Sequence, residues 1–359
     1  MTIIHYNPPK LPVRLDLSRI AGDLAEAEYS VGLLEGMQKK LQNPALLIAP
    51  LSAKEAAISS KIEGTKSTAS DVFIYEASGQ QQKADTAEVA NYRKAMVYAI
   101  EELAENRPFS LHFIRKLHDI LLTGVRHRGE IGKFRSGDVW IAERPGDPIE
   151  KAIYVPPEHI HVNEFMENIM DYIQSSKDRL LVTAGLVHYQ FEAVHPFEDG
   201  NGRIGRLLIP LLLFHKKKLT LPIIYLSGYF EAHRDVYIAA LHEVDKRQEY
   251  TEWLSIFLKA VTDQARVTQQ LMERIFSLHD GLRSEFEKLK SPYIIPVIET
   301  MFRYPVFTIP RLIEETGATR ITCMTLLGSL KKANYVQELP NRSGRYKLFA
   351  FTKLLEIIR

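Results

Sequence analysis

The chain has 359 residues, with 46 Lys and Arg against 44 Asp and Glu and a formal net charge of +2. This length suffices for two or three domains with a sizeable core, and the near balance of charge argues neither for nor against a nucleic acid partner. A lone cysteine, Cys323, excludes an internal disulfide and favours a reducing compartment.

The N-terminus and the longest apolar run bear on localisation. Residues 1–17 include Pro8, Pro9 and Pro12 and lack an apolar core, so they do not resemble a signal peptide. The longest apolar run, residues 207–214, is far shorter than a membrane span. We therefore expect a cytoplasmic protein that has no membrane partner.

Helical periodicity dominates the N-terminal third of the chain. A helix predicted over about 53–63 has Ser52 and Glu55 at the spacing of a capping box, and Gly64 is expected to end it as a left-handed cap. The polar stretch 65–84 is predicted to be a loop. The other helices expected in this region span residues 17–40, 86–105 and 111–122, the last of them capped by Ser110.

Two short runs rich in β-branched and aromatic residues, 139–142 and 153–155, flank a turn rich in Pro and Gly over 144–148. This arrangement predicts a β-hairpin in an otherwise helical chain. With only these two strands before the last domain, the fold class expected is mainly α.

The last part of the chain is predicted to form a separate domain. A long helix with apolar residues at helical spacing over 267–289 leads into residues 291–359. Ten basic and five acidic residues give this domain a charge of 10 − 5 = +5, which permits DNA contact, although protein docking and dimerisation are served by the same kind of domain. The order predicted, which resembles a winged helix, is helix 294–301, strand 306–308, helices 310–315 and 320–332, and a hairpin over 335–351 that turns at 341–344.

Residues 195–206 concentrate the groups of a phosphate site. Gly200, Asn201 and Gly202 can take backbone angles that point successive N–H groups inward, and the apolar run after them predicts a helix whose N-terminus adds positive charge. Arg203 and Arg206 are three apart and share a face of that helix, so both can reach one polyphosphate. His195 supplies a base beside it.

Simpler interpretations of this segment stay open. A loop rich in Gly, Asn and Asp before a helix is often only a turn with a cap, although two converging arginines have no packing purpose there. His195 could be a metal ligand, but the segment lacks a second His or Cys at ligand spacing. His188, on the preceding helix, is interpreted as a buried, hydrogen-bonded histidine.

The pattern His-x-Phe-x-Asp-Gly-Asn-Gly-Arg-x-x-Arg, filled by residues 195–206, resembles the signature of the Fic family. The resemblance implies a helical Fic-type bundle that transfers AMP from ATP to a Tyr, Thr or Ser hydroxyl of a target protein. It implies His195 as general base and Asp199 as the ligand of Mg²⁺. The backbone of 200–202 and Gly205 would cradle phosphates, and Arg203 and Arg206 would clamp them. The domains expected are an N-terminal helical region over 1–107, a catalytic core over 108–262, a connecting helix over 263–290 and the winged helix over 291–359.

Two further sites are implied by the resemblance. The hairpin corresponds to the family's flap, so Val139, Trp140, Ile141 and Ala142 are expected to pair with the backbone of the target. Tyr237 and Asp245 have the spacing of the pair that contacts the base. An Asn is common at the second place in some relatives, and core packing is an equally good interpretation of a Tyr on an apolar helical face.

The segment Ser59-Ser-Lys-Ile-Glu63-Gly64 resembles the family's inhibitory motif, [S/T]-x-x-x-E-[G/N]. Ser59 and Glu63 are four apart and share a helical face, and Glu63 stands in the last turn, where the helix dipole disfavours a negative charge. We therefore expect Glu63 to pair with Arg206 and withhold it from ATP. The simpler alternative is a solvated Glu beside a capping Gly64.

Other functions stay open at this point. The chain could be a DNA-binding regulator whose Fic-like part senses a nucleotide, or a Fic enzyme that transfers UMP or phosphocholine or removes AMP. A Walker A sequence does not occur in the chain, so residues 195–206 must bind the nucleotide without one. A homodimer is a further expectation for partners, beside the target protein and a nucleic acid.

Overall fold

The computed structural model of the chain describes residues 4–39, 43–81, 83–142, 144, 147–340 and 346–359. The protein is mainly helical, as predicted, with two small antiparallel sheets in the described residues. None of the helices described is both long enough and apolar enough to cross a membrane. The helices are α1 (Ala21–Gln38), α2 (Ala45–Ile62), α3 (Ala69–Ser78), α4 (Thr86–Ala104), α5 (Leu111–Leu122), α6 (Val162–Ser175), α7 (Leu180–Val194), α8 (Asn201–His215), α9 (Ser227–Ala232), α10 (Arg234–Arg247), α11 (Thr251–Phe286), α12 (Ile294–Arg303), α13 (Ile309–Thr316), α14 (Arg320–Lys332) and α15 (Thr352–Ile358). The strands are β1 (Ile141–Ala142), β2 (Ala152–Tyr154), β3 (Val306–Thr308), β4 (Val336–Leu339) and β5 (Leu348–Phe351).

The chain divides into two compact units. The first consists of Met1–Glu35 and Lys94–Ala265, and the second of Gly36–Arg93 and Arg266–Arg359. Helix α2, which carries the predicted inhibitory motif, therefore belongs to the same unit as the C-terminal domain. The N-terminal region expected over 1–107 contributes residues to both units.

Helix α7 is the centre of the first unit. All its residues except Leu180 and Glu192 are buried, as expected for a helix that is apolar all round. It packs against α6 and α8. On another side, a Cβ added at Gly185 would lie 2.9 Å from a methyl of Leu254, so this glycine lets α11 approach closely. The Trp253 indole N–H donates to the Gly185 carbonyl at 2.9 Å. Helix α7 is therefore firmly held, and residues 195–200 follow its C-terminus.

The predicted hairpin is present in the first unit, but it is shorter than expected. Ile141 pairs with Tyr154 and Ala142 with Ala152, with a bulge between the two pairs. Val139 and Trp140 lie outside the strand, which corrects the prediction of a strand over 139–142. The indole N–H of Trp140 donates to the carbonyl of Asp147 at 2.8 Å, and this side chain contact across the hairpin takes the place of further ladder pairing.

The C-terminal part of the second unit follows the predicted element order. Strand β5 lies between β3 and β4, and both neighbours are antiparallel to it. The hydroxyl of Thr319 accepts from the Thr322 N–H and caps α14, and Gly317 has the left-handed φ of 66° that ends α13. Helix α15 was not predicted, and the predicted turn at 341–344 lies outside the described residues.

Helix α3 corrects the predicted loop over 65–84. Thr68 and Asp71 form a reciprocal capping box, and Gly79 ends the helix with a φ of 71°. Val72 and Phe73 are buried although the neighbouring sequence is polar, so packing rather than periodicity stabilises this helix.

The predicted capping box at Ser52 is wrong. Helix α2 begins at Ala45 and continues through Pro50, so Ser52 lies inside it and donates to the Ala49 carbonyl at 3.1 Å. Glu55 instead accepts from the Tyr92 hydroxyl at 3.2 Å. The apolar run before Ser52 is buried, and this burial outweighs the backbone hydrogen bond that Pro50 cannot make.

Helices α2 and α3 share a core with the C-terminal sheet. Phe73 is 2% exposed and packs in a cluster of small and branched residues from several elements. The other buried members are Ala53 of α2, Val306 of β3, Leu348 and Ala350 of β5, and Ile358 of α15. The N-terminal segment 45–78 is therefore anchored within the unit that contains residues 291–359.

Replacing Phe73 by Ala should lower the free energy of unfolding by about 3–5 kcal/mol, the usual cost of removing a fully buried ring. Leu289→Ala, at a position that is 42% exposed, should cost less than about 0.5 kcal/mol. Urea titrations of both variants measure the difference. Equal midpoints for Phe73→Ala and the native protein would contradict the shared core.

Candidate active site

His195 terminates α7 and takes an unusual backbone conformation. Its φ of 49° and ψ of 61° are left-handed, and its N–H donates to the Phe191 carbonyl at 3.0 Å. Nδ1 lies 3.4 Å from the Glu192 carbonyl oxygen. A proton on Nδ1 that points to this carbonyl leaves the lone pair of the imidazole on Nε2, which is the form that a general base requires.

The loop after His195 leads directly into α8. Gly200 takes a left-handed φ of 77°, and the helix begins at Asn201, three residues before the apolar run that predicted it. The Asn201 amide accepts from the Phe197 N–H and donates to the Phe197 carbonyl, both at 2.8 Å. The Asn201 side chain thus closes the loop, and the backbone N–H groups at the start of α8 supply the positive helix end.

Phe197 is fully buried and fixes the loop against α5. Its ring stacks on the His118 imidazole with centroids 3.8 Å apart and planes 4° from parallel. The Gly132 N–H donates to His118 Nδ1 at 2.9 Å, so Nε2 carries the proton and donates to the Asp199 carbonyl at 3.0 Å. Burial lowers the pKa of His118 to about 4, so this histidine is neutral at pH 7 and ties the loop in place. Sequence reasoning missed it, because His118 lies on another helix far upstream.

Arg135 is a second residue that sequence reasoning missed. Its side chain is fully buried, its described hydrogen bonds go to main-chain carbonyls, and Nη1 lies 3.9 Å from Asp138 Oδ1. Nε donates to His195 at 2.9 Å and Nη1 to Gly137 at 3.2 Å. Nη2 donates to Val194 at 3.3 Å and, in a shorter bond, to Pro157. The guanidinium of Arg135 therefore links three parts of the backbone: Gly137 before the hairpin, Pro157 after it, and His195.

Two arginines and two carboxylates, Glu198 and Asp199, follow His195 within residues 195–206. Arg203 and Arg206 are 5% and 3% exposed, on α8. Arg203 Nη2 lies 3.2 Å from Asp199 Oδ1 and forms an ion pair with it. Over the part of the chain that the structure describes, no three His, Cys, Asp or Glu side chains are grouped so as to hold a metal ion. A single carboxylate fits Mg²⁺ only where substrate phosphates supply further oxygen ligands.

Gly205 lets α8 pack closely on α7. A Cβ at this position would collide with Glu192 Oε1 and lie 3.1 Å from the Phe191 ring, so a side chain fits there only if the end of Glu192 moves. The Gly205 carbonyl accepts from His188 Nδ1 at 3.1 Å, and His188 Nε2 accepts from the Tyr237 hydroxyl at 2.9 Å. Burial lowers the pKa of His188 to about 3. The interpretation of His188 as a buried, hydrogen-bonded histidine is confirmed.

Tyr237 and Asp245 are both engaged within the first unit. Tyr237 is 5% exposed, and its ring stacks on Phe230 at 4.3 Å. Asp245 accepts from the Tyr189 hydroxyl at 2.8 Å, and Tyr189 is in turn 3.1 Å from the Tyr6 hydroxyl. Burial and the charge of Asp245 raise the pKa of Tyr189. These contacts give both residues a structural role, and their contact with a nucleotide base stays a prediction.

The hairpin presents apolar side chains to solvent. Trp140, Ile141 and Ile153 are 40%, 36% and 54% exposed. Its base is held by Tyr154, whose hydroxyl donates to the Ala193 carbonyl at 2.6 Å, next to the end of α7. The hairpin is thus anchored to the segment that positions His195.

The predicted inhibitory motif lies at the C-terminus of α2 in the second unit. Ser59 is fully buried, and Glu63 is the exposed C-cap, with its N–H bonded to the Ser60 carbonyl at 3.0 Å. Gly64 has a φ of 99°, which confirms the predicted left-handed cap. The carboxylate of Glu63 therefore stands at the negative end of an 18-residue helix, where a cation stabilises it.

Comparison with known proteins matches residues 21–101 to the Fic/DOC family N-terminal model and residues 108–213 to the Fic/DOC family model. A Fido domain-containing protein of Dictyostelium discoideum is 30% identical over 121 residues, which are 33% of this chain and 74% of that protein. The protein adenylyltransferase Fic of Nematostella vectensis is 29% identical over 130 residues, but the match spans only 28% of its length and 35% of this chain. A Fic family protein from Desulfovibrio desulfuricans has a similar fold, with a TM-score of 0.60 over 96% of this chain and 98% of that one at 20% identity.

Proposed function

Because the chain belongs to the Fic/DOC family, we propose that it is a protein adenylyltransferase that transfers AMP from ATP to a hydroxyl of a target protein. The observation that carries the proposal is the geometry of residues 195–206. A left-handed histidine at the end of α7 is followed within one tight loop by the N-terminus of α8 and two buried arginines. A base and an anion site are thus adjacent.

In the proposed reaction the target hydroxyl attacks the α-phosphorus of ATP. His195 Nε2 takes the hydroxyl proton as the new phosphorus–oxygen bond forms. The bond from the α-phosphorus to the oxygen that bridges to the β-phosphate breaks, and pyrophosphate leaves with that electron pair. Charge that develops on the phosphates is stabilised by the start of α8 and by Arg203 and Arg206.

The residues present fit a bound Mg²⁺ at Asp199. When bound there, the ion would neutralise negative charge on the phosphates of ATP. In the structure Asp199 pairs with Arg203, which orients the carboxylate beside the start of α8.

The hairpin is the proposed docking site of the target. Its strands pair only with each other in the described residues, so an extended segment of the target can add to the sheet through backbone hydrogen bonds. The exposed Trp140 and Ile153 supply apolar contact beside that edge.

We further propose that Glu63 inhibits the enzyme by pairing with Arg206. The proposal is supported by the position of Glu63 at the negative end of α2, where a cation is favourable, and by the burial of the positively charged Arg206. When Arg206 is paired with Glu63, the site would hold the outer phosphates of ATP poorly.

The C-terminal domain is proposed to be a winged helix that contacts protein. Its sheet order and the succession of α12, α13 and α14 support the first part of this proposal. Ile321 and Met324 of α14 are 80% and 48% exposed, and such apolar side chains suit a protein surface better than DNA phosphates. Tight, salt-dependent binding of a duplex without labelling of any protein would instead favour a DNA-binding regulator.

The proposed activity is tested by incubating the protein with lysate and α-labelled ATP, CTP, GTP or UTP in turn. Transfer of label from ATP, followed by mass spectrometry that finds AMP on a Tyr, Thr or Ser, is the expected result. Labelling from another nucleotide alone would replace AMP transfer by transfer of that nucleotide. Loss of a pre-existing AMP from lysate proteins would indicate removal.

Arg135→Lys should reduce transfer by about tenfold to a hundredfold, because one ammonium group cannot bond four carbonyls and small displacements of a base are costly. Since Arg135 acts through the position of His195, kcat should fall while ATP affinity changes little. Arg107→Lys, at an exposed site, is the matched control. A fall in ATP affinity with unchanged kcat would contradict the positioning role.

A further inference from the structure

The second unit contains a pocket of about 780 Å³, a size typical of small-molecule sites. Helix α2 forms one wall, and the segment 65–71, which enters and begins α3, forms another. Lys83 and the end of α15 complete the lining. None of these residues belongs to the candidate active site, which lies in the first unit.

The lining is strongly positive. Its charged members are Lys54, Lys61, Lys66, Lys83 and Arg359 against the single acid Asp71. Asp71 is already engaged, since it accepts from Lys83 Nζ and from the Thr68 N–H at 2.8 Å each. The acidic side chain of the lining therefore does not balance its basic side chains. Burial and the charge of Arg274 lower the pKa of Lys54.

Two polar features complete the lining. Residues 67–70 at the start of α3 line the pocket, and the Asp71 carboxylate already caps this end of the helix. Thr65 Oγ1 is buried at the pocket without a hydrogen-bond partner among the described residues. A ligand oxygen would supply that partner.

Part of the lining is apolar. Ala57 and Ile58 of α2 stand with Leu355 and Ile358 of α15. We propose that this pocket binds a phosphorylated small molecule, with its phosphate beside Lys54, Thr65 and Lys66 and an apolar or aromatic body against Ile58 and Leu355.

The pocket lies on the face of α2 opposite to the inhibitory motif. Its α2 residues recur at 54, 57, 58 and 61, whereas Ser59 and Glu63 lie roughly 140–180° further round the helix. A ligand that holds this face and the segment after Gly64 would stabilise the end of α2. This regulatory consequence rests on the proposed role of Glu63, while binding itself does not.

The proposal is tested by calorimetric titration of the Arg203→Ala/Arg206→Ala variant, in which the catalytic phosphate clamp is removed. ATP should still bind at one site, and pyrophosphate, which lacks an apolar body, should bind there more weakly. Lys54→Glu and Lys66→Glu, each added to that variant, should weaken ATP binding by about tenfold or more, the value of one charge-assisted hydrogen bond. Lys66 is exposed, so Lys66→Glu should fold normally. It therefore still tests the site if Lys54→Glu fails to fold.

Lys288→Glu, an exposed change of the same charge in the same unit, is the matched control and should leave ATP affinity unchanged. Absence of ATP and pyrophosphate binding in the clamp variant, or binding that both pocket variants leave intact, would overturn the site. Hydrogen exchange of residues 54–65 measures the link to α2. Slower exchange with ATP supports it, and unchanged exchange at saturation refutes the link. Neither readout needs transfer activity, so a failure of the proposed enzyme function remains distinguishable.

Discussion

Replacing His195 by Ala is expected to reduce AMP transfer by a factor of about 10²–10⁴, the usual contribution of a positioned general base. The imidazole acts on the incoming hydroxyl, whereas the phosphates contact α8 and its arginines. Binding of ATP should therefore persist, and the measurement is transfer and ATP affinity on the same preparation.

Two variants separate chemistry from folding in this experiment. His195→Asn removes the base but tolerates the left-handed φ of 49° better than most residues, so it should be as inactive as Ala in a fold at least as stable. His127→Ala, which removes an exposed imidazole of the same unit, should be fully active. Substantial labelling by His195→Asn would show that another group accepts the proton.

The stretch from His195 to Arg206 could be predicted because its members are adjacent in sequence. A left-handed glycine, a helix start and two arginines three apart are all consequences of local chain geometry. The structure keeps them together and adds a reason for Gly205, whose absent side chain leaves room for Glu192. This role of Gly205 depends on the packing of α7 against α8, so a local sequence pattern could not predict it.

His118 and Arg135 could not be found by the same reasoning. Each supports the loop from a distant part of the chain. His118 stacks on the ring of Phe197, and Arg135 donates to main-chain carbonyls, including that of His195. A histidine on an apolar helical face and an arginine in a loop are ordinary in sequence. Their roles come from tertiary packing, which also stabilises α3 where the sequence favoured a loop.

Helix α2 shows how an error in a helix start changes the interpretation of its end. The Ser52 and Glu55 pattern suggested a short helix, whereas the helix runs from Ala45 and joins a core with the C-terminal sheet. Because α2 is anchored in this way, its C-terminal Glu63 is held on a supported helix and not on a mobile segment. A fixed carboxylate is better suited to inhibition than one that must be ordered first.

Glu63→Gly should raise self-labelling with ATP by about tenfold or more, the value of one charge-assisted pair that is no longer in competition with a phosphate. Arg206→Ala alone should lower labelling, since this arginine is proposed to hold the outer phosphates. The double variant should lose the gain of Glu63→Gly, because Arg206, which Glu63→Gly releases, is absent from the double variant.

The charge of Glu63 is separated from its place in the helix cap by a second substitution. Glu63→Gln keeps the size and the cap but removes the negative charge, so it should raise labelling nearly as much as Gly does if pairing with Arg206 is the cause. Initial rates of all variants are compared at equal Mg²⁺ and ATP. If Gly raises labelling and Gln does not, the flexibility of the α2 end controls activity and the ion pair does not. Equal rates for the native protein and both variants would show that Ser59 to Gly64 is only a helix end.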